Sequence, residues 1–201
     1  VSAFIQEFMN EDVGLVLKLG LKNGSEIDRH YTLERLNSFM SSIPAVMKCK
    51  IYLLHGSLTE QEMSALYNSK NINAYVTTSH GEGYGLPVFE AASSGLPIIA
   101  SSWGGICDFT QINGTSMITD VSYEVDNVKD YQSWTGVLET TAKWCFPDFA
   151  SLRTQMRDVY SDATAANSNA AILKKHVNKE FSNKKINKLY NDVITNVLKG
   201  E

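Results

Sequence analysis

Four short apolar runs, separated by segments of helical spacing, constrain this chain more than any other feature of its sequence. Residues 13–20 (VGLVLKLG), 50–54 (KIYLL), 74–78 (AYVTT) and 97–100 (PIIA) are strand-sized, rich in β-branched or large apolar side chains, and close to turn signals. Such runs read as buried parallel strands. Leu33, Leu36, Phe39, Met40 and Ile43 recur at helical steps between the first two. Met63, Leu66 and Tyr67 do so before the third, behind the capping box Thr59-Glu60-Gln61-Glu62. Strand and helix in alternation predict a doubly wound α/β sheet, because parallel strands need long crossovers and helices supply them.

Past Ile118 the strand signal fades, and residues 120–130 read as an acidic loop. Helices then take over. The last covers about residues 182–198, where Ile186, Leu189, Tyr190, Val193, Ile194, Val197 and Leu198 draw a continuous apolar stripe. The chain opens on a helical pattern over residues 2–9 with no strand before it, so the sequence reads as cut from something longer.

With 201 residues, 43% of them hydrophobic, the chain has material for one core of ordinary size. Its net charge of −4, with Lys and Arg spread apart from the Lys184-Lys185 pair, lacks the basic excess of a phosphate-backbone binder, so nucleic acid is not an expected partner. No apolar run has transmembrane length, and no charged-then-apolar leader opens the chain. Cys49, Cys107 and Cys145 show no metal-ligand spacing and read as buried free thiols of a reducing compartment. Trp134, Trp144 and Phe146 read as core.

Residues 77–101, TTSHGEGYGLPVFEAASSGLPIIAS, place a glycine loop at the end of the third strand and a helix directly after it. Leu86-Pro87 opens that helix, where proline's missing N–H costs nothing. In an open α/β sheet the ligand crevice lies at the carboxyl ends of the strands, and a helix N-terminus there offers unpaired N–H groups and a positive dipole end to phosphate. Glu90, one turn into the helix, leans back toward the loop and can accept from two vicinal hydroxyls, as on a ribose. Glu82, in the loop, meets whatever is attached beyond the phosphates. The pair fits a nucleotide diphosphate carrying a polar group. The plainer readings are a glycine turn made for packing and two solvated glutamates. His80 is a sugar contact or incidental, while Trp103 and Tyr84 stack on a base or sugar or pack over the sheet end.

The stretch Glu82-Gly83-Tyr84-Gly85-Leu86-Pro87-Val88-Phe89-Glu90 is followed by Ala91, Gly95, Pro97 and the turn Trp103-Gly104-Gly105. It resembles the E-x7-E signature of retaining GT-B glycosyltransferases, in particular glycosyltransferase family 4 (glycosyl transferases group 1). Starch and glycogen synthases, which usually carry a Pro-Cys-Gly core there, are a weaker match, as are nucleotide-sugar epimerases on the same fold. Residues 55–79 are similar to the family's strand, turn and helix before the donor loop, and residues 176–198 to its closing helix, which crosses back to the other domain.

The resemblance implies a Rossmann-like nucleotide-sugar-binding domain over residues 1–180, first strand missing, and a crossover helix over 181–201, together the C-terminal half of a GT-B fold. It implies that Glu82 is the catalytic contact near the reacting carbon of the sugar, that Glu90 binds the donor ribose, and that backbone N–H groups of Gly83, Tyr84, Gly85 and Leu86 hold the diphosphate and sugar hydroxyls. Transfer from a nucleotide-diphosphate sugar with retention is then expected to need no metal and no cofactor, and the sequence contains no Asp-x-Asp. A glycan, lipid or protein acceptor, a cytoplasmic location, and peripheral membrane contact of the full protein are all compatible with the family. The family's acceptor-binding half and its diphosphate-binding Arg and Lys precede the part matched here. Lys18 and Lys22 fall in and after the next strand and do not replace that pair. The isolated chain is therefore expected to bind nucleotide weakly and not to turn over. The alternative is a noncatalytic GT-B-like binding or scaffold domain.

Overall fold

The computed structural model describes residues 1–20, 24–43 and 46–199. The chain divides into two compact units, Val1–Ala65 and Leu66–Glu201.

In the first unit, α1 (Ser2–Phe8) buries Ala3, Phe4, Ile5 and Phe8, the face marked by the spacing of its sequence. After β1 (Gly14–Leu19), α2 (Glu26–Ser41) is started by a capping box in which Ser25 and Asp28 satisfy each other's backbone N–H groups. β2 (Lys50–His55) pairs in parallel with β1, in register from Gly14 opposite Lys50 to Leu19 opposite His55. The division between units falls within α3 (Glu60–Tyr67). The capping box expected at its start is present: the Thr59 hydroxyl accepts from the Glu62 N–H at 3.2 Å, and the Glu62 carboxylate accepts from the Thr59 N–H at 2.8 Å.

The second unit carries β3 (Tyr75–Val76), α4 (Leu86–Ser94) and β4 (Ile98–Ala100) in sequence, with β3 and β4 parallel. A short α5 (Cys107–Thr110) and a tight hairpin of β5 (Gln111–Ile112) and β6 (Thr115–Ser116) lead to β7 (Thr119–Asp120), which pairs in parallel with β4. The ladder order is β3-β4-β7, and Ile98, Ile99 and Ala100 of its central strand are all buried. Parallel ladders joined through helices in both units give the expected Rossmann-like α/β class.

Residues 120–130 are not the acidic loop that their composition suggests. β7 takes Asp120, and β8 (Tyr123–Asn127) forms an antiparallel pair with β9 (Lys143–Pro147). All five residues of β8 are exposed, so Glu124 and Asp126 stay in water and oppose no pairing. Trp134, expected in the core, is 69% exposed. It sits in the connection between β8 and β9, which brings it out to solvent. Trp144 and Phe146 are half-buried.

Three helices close the described chain. α6 (Phe149–Ser161), N-capped by the Asp148 side chain, buries Leu152, Met156 and Val159. α7 (Thr164–Glu180) buries Ala170, Leu173 and Val177. Its Lys174 and Asn178 donate to the carbonyls of Ser94 and Ser93, satisfying the open end of α4. α8 (Asn183–Lys199) follows the expected last helix and buries none of its side chains. Cys49 and Cys145 are buried and Cys107 is half-buried, all three as free thiols. Among the described residues, no helix is long and apolar enough to cross a membrane.

Candidate functional site

β3 ends at Val76 and the chain runs through residues 77–85 into α4, so the glycine loop stands at the carboxyl end of the second unit's ladder. Two close backbone approaches fix its shape. Gly85 is the N-cap of α4 at φ +83, and a Cβ there would lie 2.5 Å from Ile106 Cγ2. The Gly105 N–H donates to the Glu82 carbonyl at 2.9 Å, and a Cβ on Gly105 would come within 2.0 Å of the Gly83 carbonyl oxygen. The Trp103-Gly104-Gly105 turn is therefore a backbone brace for the loop, and its glycines are what let the two segments touch.

His80 supplies a second brace. Its Nδ1 lies 2.7 Å from the Cys145 carbonyl oxygen, and the Cys145 N–H donates to the His80 carbonyl at 2.9 Å. A carbonyl can only accept, so Nδ1 carries the proton. The ring stacks on Trp144 at 4.7 Å and 2° and tilts against Phe146 at 5.0 Å. His80 is thus tied to β9, a role that the sequence did not suggest. Tyr84 and Trp103 both make ring contacts within the unit. Tyr84 lies against Phe89 and Phe109, with centroids 5.5 and 5.4 Å away, and Trp103 against Tyr123 at 6.1 Å.

The charges of both glutamates reach one phenol. Glu82 is half-buried and Glu90 exposed, and both act on Tyr75, whose phenol is pushed up first by burial and then by those two carboxylate charges. Tyr67 completes the group. Its phenol is pushed well above the ordinary range, first by burial and then by the Glu90 charge, and its hydroxyl donates to the Pro87 carbonyl at 3.4 Å. The rings of Tyr67 and Tyr75 meet edge-on at 6.3 Å. Sequence reading missed both tyrosines, counting Tyr67 as an apolar helix position and Tyr75 as strand interior. The available signal was chemical: a buried phenol needs a partner for its hydroxyl.

Among the described residues, the N–H groups of Gly83, Tyr84, Gly85 and Leu86 have no backbone acceptor, and no side chain caps α4. The site therefore presents a row of amide donors at a helix N-terminus, suited to an anion, beside two carboxylates suited to hydroxyls. The Lys18 ammonium donates to the Gly56 carbonyl within the first unit. Lys22 lies outside the described residues.

Residues 50–133 match the family described as Glycosyl transferases group 1. Over 75 residues, 37% of this chain, the sequence is 39% identical to sulfoquinovosyl transferase SQD2 of Arabidopsis thaliana, and that match covers 13% of the relative. A crystal structure of the GtfA/B complex aligns with 94% of this chain and 36% of its own, at a TM-score of 0.48 and 15% identity. The chain thus corresponds to a minor part of each of these proteins.

The family match contains Tyr67, Tyr75, the loop, α4 and the Trp-Gly-Gly turn. It ends before β9, so the His80 brace joins a matched loop to an unmatched strand.

Proposed function

We propose that this chain carries the donor-binding half of a retaining GT-B glycosyltransferase of family 4, which moves a sugar from a nucleotide-diphosphate sugar to an acceptor. The observation that carries this reading is the braced loop that holds Glu82, one helical turn from Glu90, beside N–H groups at the start of α4 that bond no backbone acceptor. In this reading Glu90 accepts from the ribose 2′- and 3′-hydroxyls. Gly83, Tyr84, Gly85 and Leu86 hold the diphosphate and sugar hydroxyls through their N–H groups. Glu82 stands at the transferred sugar.

As the bond from the anomeric carbon to the diphosphate breaks, positive character grows on the sugar and negative charge on the leaving group. Fixed N–H dipoles stabilise that negative charge more strongly than they do the ground state, which is what lowers a barrier. The reading requires neither metal nor cofactor. It assigns the acceptor site and the diphosphate-binding cation to the other half of the enzyme, so this chain binds donor without turning it over.

Calorimetry with UDP-, GDP- and ADP-sugars tests the proposal, and the named relative adds a sulfoquinovosyl donor to the panel. One base series is expected to bind. Glu90→Gln should weaken that binding by about 1.5–3 kcal/mol, the worth of hydrogen bonds to a charged group, with little change in stability. Equal affinity of variant and parent, or no binding in any series, would sink it.

A further inference from the structure

Glu82 stands between Gly81 and Gly83, neither of which has a side chain that could pack and so set its direction, and a Cβ on Gly83 would meet nothing within 4 Å. Its direction is therefore set by where the loop is held on either side of it. On the side toward α4, the Gly105 N–H donates to the Glu82 carbonyl at 2.9 Å. On the side toward β3, the hold is His80. Its Nδ1–H donates to the Cys145 carbonyl at 2.7 Å, at the short end of the N–H···O range, and its own carbonyl accepts from the Cys145 N–H at 2.9 Å. Backbone and side chain of one loop residue are thus tied to the same residue of β9.

The support is itself fixed. Cys145 is fully buried and pairs with Val125 of β8. The flat stack on Trp144, at 4.7 Å and 2°, sets the plane of the imidazole, while the bond from Nδ1 sets its rotation within that plane. The other strand of the hairpin holds the other side of the loop. Tyr123, the first residue of β8, donates its hydroxyl proton to the Ser102 carbonyl at 3.0 Å, and its ring lies against Trp103. One antiparallel pair of strands therefore supports both segments that hold Glu82, β9 the loop and β8 the Trp103-Gly104-Gly105 turn.

We infer that His80 is the positioning residue for Glu82, so that recognition of the transferred sugar depends on the contact between the donor loop and β9. The inference rests on the reading of Glu82 as the sugar contact. Calorimetry on this chain compares UDP, GDP and ADP with their glucose and mannose conjugates, and the quantity read is the ratio of conjugate affinity to diphosphate affinity within one base series. Glu82→Gln should lower that ratio. His80→Ala should lower it about fivefold, the factor that one net hydrogen bond corresponds to, and by no more than Glu82→Gln does. In the double variant His80→Ala should lower it no further, because a residue that acts through Glu82 has nothing to act on once that carboxylate is gone. A general loosening of the unit would weaken both ligands alike and leave the ratio where it was. Trp144→Leu removes the stacking surface from outside the loop and should lower the ratio in the same direction, so the test does not depend on one variant folding. A ratio unchanged in His80→Ala but lowered in Glu82→Gln, or two effects that multiply in the double variant, overturns the positioning role and leaves the donor site standing. A ratio untouched by Glu82→Gln, or no binding of any diphosphate, overturns the reading of Glu82 and this inference with it.

Discussion

Helices α4 and α8 are both amphipathic in sequence, and the structure uses them in opposite ways. α4 has nine residues, buries Val88, Ala91 and Ala92 to 1% exposure or less, and has left-handed glycines, Gly85 and Gly95, at its two ends. Its last carbonyls are taken by Lys174 and Asn178 of α7. α8 has seventeen residues and the cleaner stripe, yet Leu189, Tyr190, Val193, Ile194, Val197 and Leu198 are each more than half exposed. A regular stripe measures what a helix is able to bury. Glycines at helix ends and small side chains such as Ala91 and Ala92 show where another chain comes close. The proposed binding residues stand on the helix with the second kind of evidence, because a site that fixes a ligand must itself be fixed.

The strongest way to break that comparison is to push apart the backbone that supports α4. Gly105→Ala places a Cβ 2.0 Å from the Gly83 carbonyl oxygen, an overlap with backbone that no rotamer change relieves. The expected cost is about 3 kcal/mol, the upper range for overpacking, together with loss of donor binding. Gly83→Ala is the control, since its Cβ meets nothing within 4 Å and stability should stay within about 0.5 kcal/mol of the parent. Urea unfolding of the two variants measures the difference. Equal midpoints would remove the brace from the account of the loop.

The same chemical deletion made in both helices is the next sharpest test. Val88→Ala removes two methyl groups from a fully buried side chain and should cost about 2 kcal/mol. Val193→Ala removes them from a side chain that is mostly in water, and alanine's better helix propensity offsets part of the small loss. The change there should lie within about 0.5 kcal/mol of zero. A cost at Val193 equal to that at Val88 would mean that α8 is covered in solution, and sedimentation at two concentrations would show whether another copy covers it.

How far each feature could be read follows from where its causes lie in the chain. α4 was legible to its first residue because Gly85 and Pro87 act on their own backbone. The start of α3 was legible for the same local reason. β8 was not, since its identity depends on β9, where Trp144, Cys145 and Phe146 carry the apolar signal that Glu124 and Asp126 hide. The partner of His80 stands sixty-five positions away at Cys145, and that of Tyr67, the Pro87 carbonyl, on another helix. Trp134 was misplaced by a composition rule: large aromatics are buried on average, but a residue in a connection that leaves an exposed strand need not be.

The smallest effect isolates a cap from any stripe. At the start of α3 the Glu62 carboxyl is held below the ordinary glutamate value, first by the Thr59 N–H and then by the Thr59 hydroxyl. A carboxyl whose folded value is depressed contributes stability that is fully present above its unfolded value and is lost as pH falls through the folded one. That window opens below about pH 4.5. Thr59→Ala should cost about 1 kcal/mol at neutral pH, the usual worth of an N-cap hydroxyl. Glu62→Gln keeps a side chain that can still reach back to the Thr59 N–H but cannot titrate, so it should flatten the acid limb of the stability curve. Urea midpoints at pH 7 and pH 3.5 check this for parent and both variants. An acid loss as steep in Glu62→Gln as in the parent would assign the pH dependence to other carboxylates, among them Asp126, Asp162 and Glu180, whose values are also held down by local partners. It would then leave the cap as a neutral hydrogen-bonded turn whose stabilising effect is the same at both pH values.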